Sequence, residues 1–365
     1  MQWPFVLFAA WFALNALSLL WAPDVSRGAH QLERYLSFVL LLPVGLWGVN
    51  GHYDWHRTCR ILVWGSLMSV FVYLFATYWG FNYECLRDIK RPYEAVDPPF
   101  IVYAPYISCM KHRLYYSTVL LLSVVATCYL HPSRVEERGR LVAWIQTIGS
   151  SLIFVAMVWL TDSRANLLTA FALLAVAVLI HLPRRYRWWI GGIVAIVCLT
   201  GALLVLRMNP RMQDFRINQL TERNDGQYDV SIEPRLNIWR IALSTPADYS
   251  AHGLGAAQSV PYLVERYEAA GLTRYTIRQY NTHNQYLNEW MELGIPGLVL
   301  FLLAWLSLPF CTSGTARRTS VYIGVIFGLN MLTECMFGRF DGIAIWVFCL
   351  IWLLLQSTRP DSKTE

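Results

Sequence analysis

The chain is dominated by apolar runs about as long as a bilayer is thick, separated by polar connections. The first run, residues 3–22, reads WPFVLFAAWFALNALSLLWA and is apolar on every face of a helix. A bilayer core needs roughly 20 apolar residues per helix, so such runs predict membrane-spanning helices. The pattern predicts about ten spans, at residues 3–22, 34–50, 61–80, 114–130, 141–160, 165–182, 188–207, 288–310, 320–336 and 342–356.

Two longer polar segments interrupt these runs, near residues 81–113 and 208–287. The second contains helical patterns separated by breakers, because PRLNIWRIALS ends at Pro246 and PYLVERYEAAG ends at Gly271. Its aromatic and leucine positions recur at helical spacing, which predicts a lid of helices lying over the membrane bundle. The pattern therefore predicts an amino-terminal bundle, a large loop and a carboxy-terminal membrane part, at residues 1–207, 208–287 and 288–365.

Composition supports the prediction of a membrane protein. Hydrophobic residues make up 56% of the chain and aromatic residues 15%, which is too apolar for an ordinary soluble domain. The predicted fold class is therefore all-α, a polytopic helical membrane bundle with one large helical loop.

The distribution of positive charge predicts the orientation of this bundle. Basic residues concentrate in the short connections on one side, which the positive-inside rule makes cytoplasmic. The two long polar segments then lie on the other side, and the net charge of +6 reflects this asymmetry rather than nucleic-acid binding. The basic residues concerned are Arg57, Arg60, Arg134, Arg138, Arg140, Arg184, Arg185, Arg187, Arg317, Arg318, Arg359 and Lys363.

The eight cysteines show neither a CxxC pair nor zinc-ligand spacing, so most are expected to pack as small apolar side chains. Cys85 and Cys109 differ because both fall in one exported segment, where an oxidising compartment permits a disulfide. Pairing and packing remain equal alternatives for these two residues.

Three arginines are candidates for binding an anion. Arg164, in LTDSRANLL, lies in a short turn between two apolar runs, where a guanidinium costs roughly 3 kcal/mol and usually has a partner or a function. The alternative is an ion pair with Asp162 or snorkelling to the membrane interface. For Arg235 and Arg240, in EPRLNIWRIAL, the residues alone favour a solvated helix face over anion binding.

His283 is the strongest candidate for proton transfer. It follows Asn281 and Thr282 at the start of an apolar run, where the free N–H groups of a helix amino terminus favour anions. A lone histidine is more often a structural hydrogen-bonding residue, so its position rather than its identity carries the prediction. His252, in SAHGLGAAQ, is expected in a turn, with the alternative that it lines the site. His52 and His56 are interpreted as residues at the membrane interface.

Five motifs carry a family resemblance. TDSRANLLTA, EPRLNIWRIALSTP, HGLGAAQ, NTHNQYLNEWMELGIPGLVLFLL and LTECMFGRFDG occur in this order around one exported loop, and the combination resembles the O-antigen ligase family. The resemblance implies a glycosyltransferase with a GT-C-like bundle in the bacterial inner membrane and its active site facing the periplasm. It further implies transfer of a polysaccharide from undecaprenyl pyrophosphate to a lipid A-core acceptor, with membrane lipids around the bundle.

The resemblance also implies roles for individual residues. Arg164 and Arg235 match the arginines expected to hold the donor pyrophosphate, and His283 matches the histidine expected to activate the acceptor hydroxyl. Glu334 stands where the family often has an acidic residue. The predicted catalytic set is therefore His283, Arg164 and Arg235, and the predicted substrate-binding set is Arg240, Asn284, His252 and Glu334. No metal or cofactor is expected, because arginine forks can hold a pyrophosphate.

Some alternatives stay open at this point. An O-antigen polymerase of the same superfamily would accept a second lipid-linked repeat, for which Arg211, Arg216, Arg223 and Arg274 could supply extra charge. A lipid-carrier flippase would also be a basic multi-span protein, although the sequence shows no repeat of the kind on which many transporters are built. The family usually has more spans than the ten or so predicted, which fits a late start codon, a truncated gene or a shorter variant. The first run lacks a basic amino-terminal region and a small-residue cleavage site, so we expect it to be retained.

Overall fold

The computed structural model describes residues 2–41, 43, 54–78, 112–130, 137–161, 163–181, 185–208 and 232–357. Within these ranges every regular element is helical, which confirms the all-α class. The first seven helices are α1 (Gln2–Ser18), α2 (Val25–Leu40), α3 (Trp55–Tyr78), α4 (Arg113–Thr127), α5 (Glu137–Leu160), α6 (Arg164–His181) and α7 (Arg187–Met208). The others are α8 (Ile232–Ala242), α9 (Ser259–Ala269), α10 (Thr273–Arg278), α11 (Gln285–Leu306), α12 (Gly314–Met331) and α13 (Phe340–Ser357), with 3₁₀ turns at Pro246–Asp248 and Met336–Gly338.

Three helices in the described ranges are long and apolar enough to cross a membrane, namely Trp55–Phe75 of α3, Gln285–Leu306 and Phe340–Ser357. Four shorter apolar helices, Arg113–Thr127, Trp144–Leu160, Arg164–Ile180 and Trp189–Gly201, fall below that length. A membrane protein is thus supported, while the number of about ten spans and the periplasmic loop stay predictions. The predicted span at 34–50 coincides with the second half of α2, whose first half is polar and begins at Val25.

The chain divides into two compact units, one formed by residues 1–50 with 203–365 and the other by residues 51–202. The predicted division into bundle, loop and carboxy-terminal helices follows membrane topology instead and stays a prediction. Cys85 and Cys109 lie outside the described residues, so their pairing stays a prediction as well.

In the unit 51–202, polar side chains join the apolar helices. The Ser66 and Ser123 hydroxyls lie 2.7 Å apart, and those of Ser117 and Thr161 lie 2.6 Å apart. Asn166 donates to the Leu114 carbonyl at 2.9 Å. Small polar residues between helices are typical of membrane bundles, where apolar packing alone gives little preference for one partner.

The other unit is built around α1, α2 and α11, which pack against one another through aromatic rings. Trp11 lies 5.5 Å from Phe38 and 5.8 Å from Phe301, centroid to centroid, and Phe38 lies 5.3 Å from Phe337. These side chains are buried, and each such ring pair contributes roughly 0.5–1.5 kcal/mol beyond the area it buries. The first helix of the chain is therefore part of the core that carries α11.

The residues between α7 and α11 form their own small core, as far as they are described. Ile238, Tyr249, Leu263 and Tyr267 are fully buried in one cluster with the start of α11. α8 ends before Pro246 and α9 ends before Gly271, which has a φ of 69°. The predicted helices and breakers are confirmed here, and they place α8 to α10 against α11.

Helix α11 is broken at Gly294, where φ is 67° and ψ is −169°. The break frees the Met291 carbonyl, and Pro296 has no N–H for the carbonyl four residues earlier, that of Glu292. Leu254 and Gly255 donate their N–H groups to these two carbonyls, at 2.9 Å each. The HGLGAAQ turn thus supplies the hydrogen bonds that the broken helix lacks, which an apolar environment requires.

Two buried glutamates lie on the face of α11 that meets α1, α2 and α9. Glu289 accepts from Trp11 Nε1 at 2.8 Å, and Glu292 accepts from Gln31 Nε2 at 2.6 Å and from Ser259 Oγ at 2.7 Å. Each carboxylate therefore ties α11 to a helix distant in sequence. These contacts explain why the first turns of an apolar helix carry so many polar residues.

Candidate active site

One short segment, residues 333–338, lies between α12 and α13, includes the 3₁₀ turn, and brings together three of the seven candidate residues. The Thr333 carbonyl accepts from Arg235, Glu334 meets His283, and Cys335 Sγ lies 3.1 Å from the Thr282 hydroxyl. The N–H of Phe337 donates to Gln285 Oε1 at 2.8 Å. The late LTECMFG motif thus folds back onto the start of α11.

His283 is fixed in an unusual backbone conformation at the start of α11. Its φ is 45°, a left-handed value that costs a non-glycine residue of order 1–3 kcal/mol. Its N–H donates to Asn281 Oδ1 at 2.9 Å, and Asn284 caps the helix by accepting from the Leu287 N–H at 3.0 Å. The two asparagines set the direction in which the imidazole leaves the backbone.

The imidazole of His283 has a carboxylate partner. Nδ1 lies 3.3 Å from Glu334 Oε2, and the two side chains are 26% and 9% exposed. A carboxylate at Nδ1 favours the tautomer with a proton there, which leaves the Nε2 lone pair available. Nε2 makes no hydrogen bond to the described residues, so this nitrogen can accept a proton from a substrate.

Arg235 lies on α8 beside the same carboxylate. Its Nε donates to the Thr333 carbonyl at 3.1 Å. Burial lowers the pKa of the guanidinium, and the Glu334 charge opposes that shift, so the group stays protonated. Within the described part of the chain its two terminal nitrogens have no hydrogen-bond partner, and they can hold an anion.

Cys335 lies next to this group and contacts the Thr282 hydroxyl. It is buried between α12 and α13, outside both helices. Burial, together with the Glu334 charge, raises the pKa of its thiol to about 12. A raised pKa disfavours the thiolate, which is the nucleophilic form, so Cys335 is not proposed as a nucleophile.

The other predicted site residues lie elsewhere or have a structural role. Arg240 is exposed on α8, and five residues of helix turn it well away from the face that carries Arg235. His252 is exposed and stacks on Trp21, with ring centroids 5.8 Å apart. Asn284 uses its side-chain oxygen to cap α11. Their roles in substrate binding stay predictions.

Arg164 is the first residue of α6, in the unit formed by residues 51–202, and is half-buried. Asp162, its alternative partner, lies outside the described residues. The structure brings His283, Arg235 and Glu334 together in the other unit, and the predicted place of Arg164 beside the pyrophosphate stays a prediction.

The sequence reasoning missed two features of the site. Arg34 of α2 reaches the 333–338 segment, donating from Nη1 to the Gly338 carbonyl at 2.6 Å. One signal for Arg34 was available: it follows Gln31 by about one helical turn and precedes Tyr35, which puts a charged residue at the edge of the buried face of α2. Glu289 and Glu292 were also missed, although acidic residues inside an apolar helix are themselves a signal.

The fold and the site define a helical protein with membrane-length apolar helices and a polar site at the connections between them. Residues 149–302 match the model of the O-antigen ligase family. This match confirms the resemblance to the O-antigen ligase family over these residues. Members of the family are membrane glycosyltransferase-like ligases and polymerases, which supports a transferase in general terms. A comparison with curated proteins gives no match.

Proposed function

We propose that the protein transfers a polysaccharide from undecaprenyl pyrophosphate to a sugar hydroxyl of a lipid A-core acceptor, on the periplasmic face of the inner membrane. The observation that carries this proposal is the contact of His283 Nδ1 with Glu334, which leaves Nε2 without a hydrogen bond to the described residues, while the cationic Arg235 binds the adjacent Thr333 carbonyl. A base and an anion-binding fork are the two parts that such a transfer requires.

Arg235 holds the leaving group in this proposal. The anomeric carbon of the donor is bonded to a pyrophosphate oxygen, and negative charge grows on that oxygen as the bond breaks. The open fork of Arg235 matches phosphate oxygens in geometry and charge. Arg164 is proposed to bind the same pyrophosphate, on the basis of the family resemblance.

His283 removes the proton from the acceptor. The acceptor oxygen forms a bond to the anomeric carbon, its proton passes to Nε2, and the electron pair of the broken bond leaves with the pyrophosphate. Glu334 stabilises the imidazolium that forms. Attack from the face opposite the leaving group inverts the anomeric configuration, and no covalent enzyme intermediate is needed.

Ligase and polymerase activity differ in the acceptor, and the family contains both. A polymerase would need charge for a second lipid-linked pyrophosphate. Of the arginines predicted for that role, Arg274 lies on α10, half-buried, and Arg211, Arg216 and Arg223 lie outside the described residues. A ligase is proposed because its acceptor carries no second pyrophosphate, so one base and the arginines of a single pyrophosphate site suffice.

Lipid analysis of cells that lack the gene tests this proposal. A ligase predicts that long polymer accumulates on undecaprenyl pyrophosphate while the lipid A-core stays unmodified. Accumulation of single lipid-linked repeats would establish the polymerase instead. Intermediates retained on the cytoplasmic face would contradict both and indicate a flippase.

A further inference from the structure

Arg34 is held beside the active site by a backbone carbonyl rather than by an acid. The buried face of α2 consists of Gly28, Gln31, Tyr35 and Phe38, so Arg34 lies at the edge of that face and is half-buried. Its Nη1 donates to the Gly338 carbonyl at 2.6 Å. A carbonyl orients a guanidinium but does not neutralise its charge.

The acidic residues near Arg34 on α2 are engaged elsewhere. Arg27 pairs with Asp24 at 3.2 Å, and His30 lies 3.7 Å from Glu33 on the exposed side of the helix. Arg34 forms no ion pair within the described ranges. A half-buried guanidinium without a carboxylate carries a desolvation cost that a bound anion would offset.

Arg235 makes the same kind of contact at the other end of the segment, from Nε to the Thr333 carbonyl at 3.1 Å. Six extended residues span at most about 20 Å, and the turn from the Gly338 N–H to the Cys335 carbonyl shortens this stretch. In sequence, Glu334, which meets His283, lies between the two residues whose carbonyls accept from these arginines. Two half-buried guanidinium groups therefore bind carbonyls of the same short segment, which also carries Glu334.

We propose that Arg34 is a third substrate-binding arginine, which contacts phosphate oxygens of the polyprenyl pyrophosphate substrate. This inference rests on the proposed function. A pyrophosphate presents oxygens on two phosphorus atoms, and two separate forks can bind them at once. Bulk anionic phospholipid offers the same phosphate chemistry, so a test has to separate the two sources.

The test uses the full chain in lipid nanodiscs and undecaprenyl pyrophosphate as the probe. Dissociation constants are measured in zwitterionic discs and in discs containing anionic phospholipid, for the wild type, Arg34→Ala, Arg34→Lys, Arg235→Ala and Arg27→Ala. Arg27→Ala is the matched control because it removes the same charge from an exposed position of the same helix.

We expect Arg34→Ala to weaken binding about tenfold or more in both kinds of disc, as loss of hydrogen bonds to a charged group would. Arg34→Lys keeps the charge and a donor for Gly338 but not the fork, so its affinity should fall between that of the wild type and that of Arg34→Ala. Arg27→Ala should bind like the wild type. If Arg34→Ala does not fold, the weaker binding of Arg34→Lys carries the test.

Three results would overturn the inference. Wild-type affinity of both Arg34 variants would make the residue a structural link between α2 and the 333–338 segment. Loss of competition by anionic phospholipid, with unchanged affinity for the probe, would assign Arg34 to a lipid headgroup. Failure of the wild type itself to bind the probe would overturn the proposed function together with this inference. Weakened binding by Arg235→Ala with normal binding by Arg34→Ala would overturn this inference alone and leave the proposed function intact.

Discussion

At the scale of single residues, His283 combines a costly backbone conformation with a carboxylate partner. Its left-handed φ of 45° is held by Asn281 on one side and by the capped start of α11 on the other. Strain of this kind persists where the surroundings fix it, and it often marks a functional position. Placing Nδ1 3.3 Å from Glu334 is the result of that fixed geometry.

Glu334→Gln is the first residue-scale prediction. The variant keeps the size of the side chain but cannot stabilise an imidazolium, so transfer should fall roughly tenfold or more. Binding of the lipid-linked donor should stay close to wild type, because the pyrophosphate is held by arginine. Initial rates and donor affinity of the purified variant check this. Normal transfer by Glu334→Gln would show that the contact is only structural.

The second residue-scale prediction is that glycan transfer does not depend on metal ions. Because the charge of the leaving group is balanced by guanidinium groups, transfer should survive EDTA at concentrations that remove divalent cations. The measurement is transfer by purified protein before and after chelation. Loss of activity that Mg²⁺ specifically restores would contradict the arginine clamp.

At the scale of elements, the break in α11 at Gly294 packs against the HGLGAAQ turn. Gly253 and Gly255 bring the HGLGAAQ turn so close that a Cβ on Gly253 would lie 2.2 Å from the Glu292 carbonyl oxygen. Gly294 is packed as tightly from the other side, since a Cβ there would lie 2.9 Å from the Ala251 carbonyl oxygen. The loop and the start of α11 should therefore move as one body.

Gly294→Ala tests this coupling. The positive φ and the close carbonyl should cost about 1 kcal/mol or more of stability and should expose residues 250–258 to protease. Gly324→Ala is the matched control, because a Cβ on Gly324 of α12 meets no atom within 4 Å. Thermal unfolding and limited proteolysis measure both effects. Equal behaviour of the two variants would mean that the break does not hold the loop.

The elements also show which parts of the site the sequence can predict. His283 was predicted because a polar cap before an apolar run is a local pattern. Its contact with Glu334 joins residues separated by 51 positions, and the contact of Arg34 with Gly338 joins residues separated by 304 positions. No local pattern encodes such pairs, so only the packing of α2, α11 and the 333–338 segment brings them together.

At the scale of the whole molecule, the apolar runs predict a helical membrane protein; the described residues confirm the helical class, and their three membrane-length helices support the membrane. The count of spans depends on where each helix begins, and α2 shows the difficulty, since its polar first half continues directly into the apolar half. Helical periodicity alone does not show where along α2 the helix enters the membrane.

Orientation across the membrane is predicted from the basic residues of the short connections. A reporter fused after Gly226 should be active only outside the cytoplasm, and one fused after Gly314 only inside it. Paired alkaline phosphatase and fluorescent protein fusions measure this directly. The reverse pattern would place His283 on the cytoplasmic side, where a periplasmic acceptor could not reach it.

The most direct test of the central claim separates binding from chemistry at His283. Purified His283→Ala should bind the undecaprenyl pyrophosphate-linked donor with wild-type affinity, because Arg235 and the other arginines are unchanged. Its rate of transfer should fall by roughly two orders of magnitude or more, the usual contribution of a positioned base. Transfer at near wild-type rate by the folded variant would contradict the account and leave His283 with a structural role only.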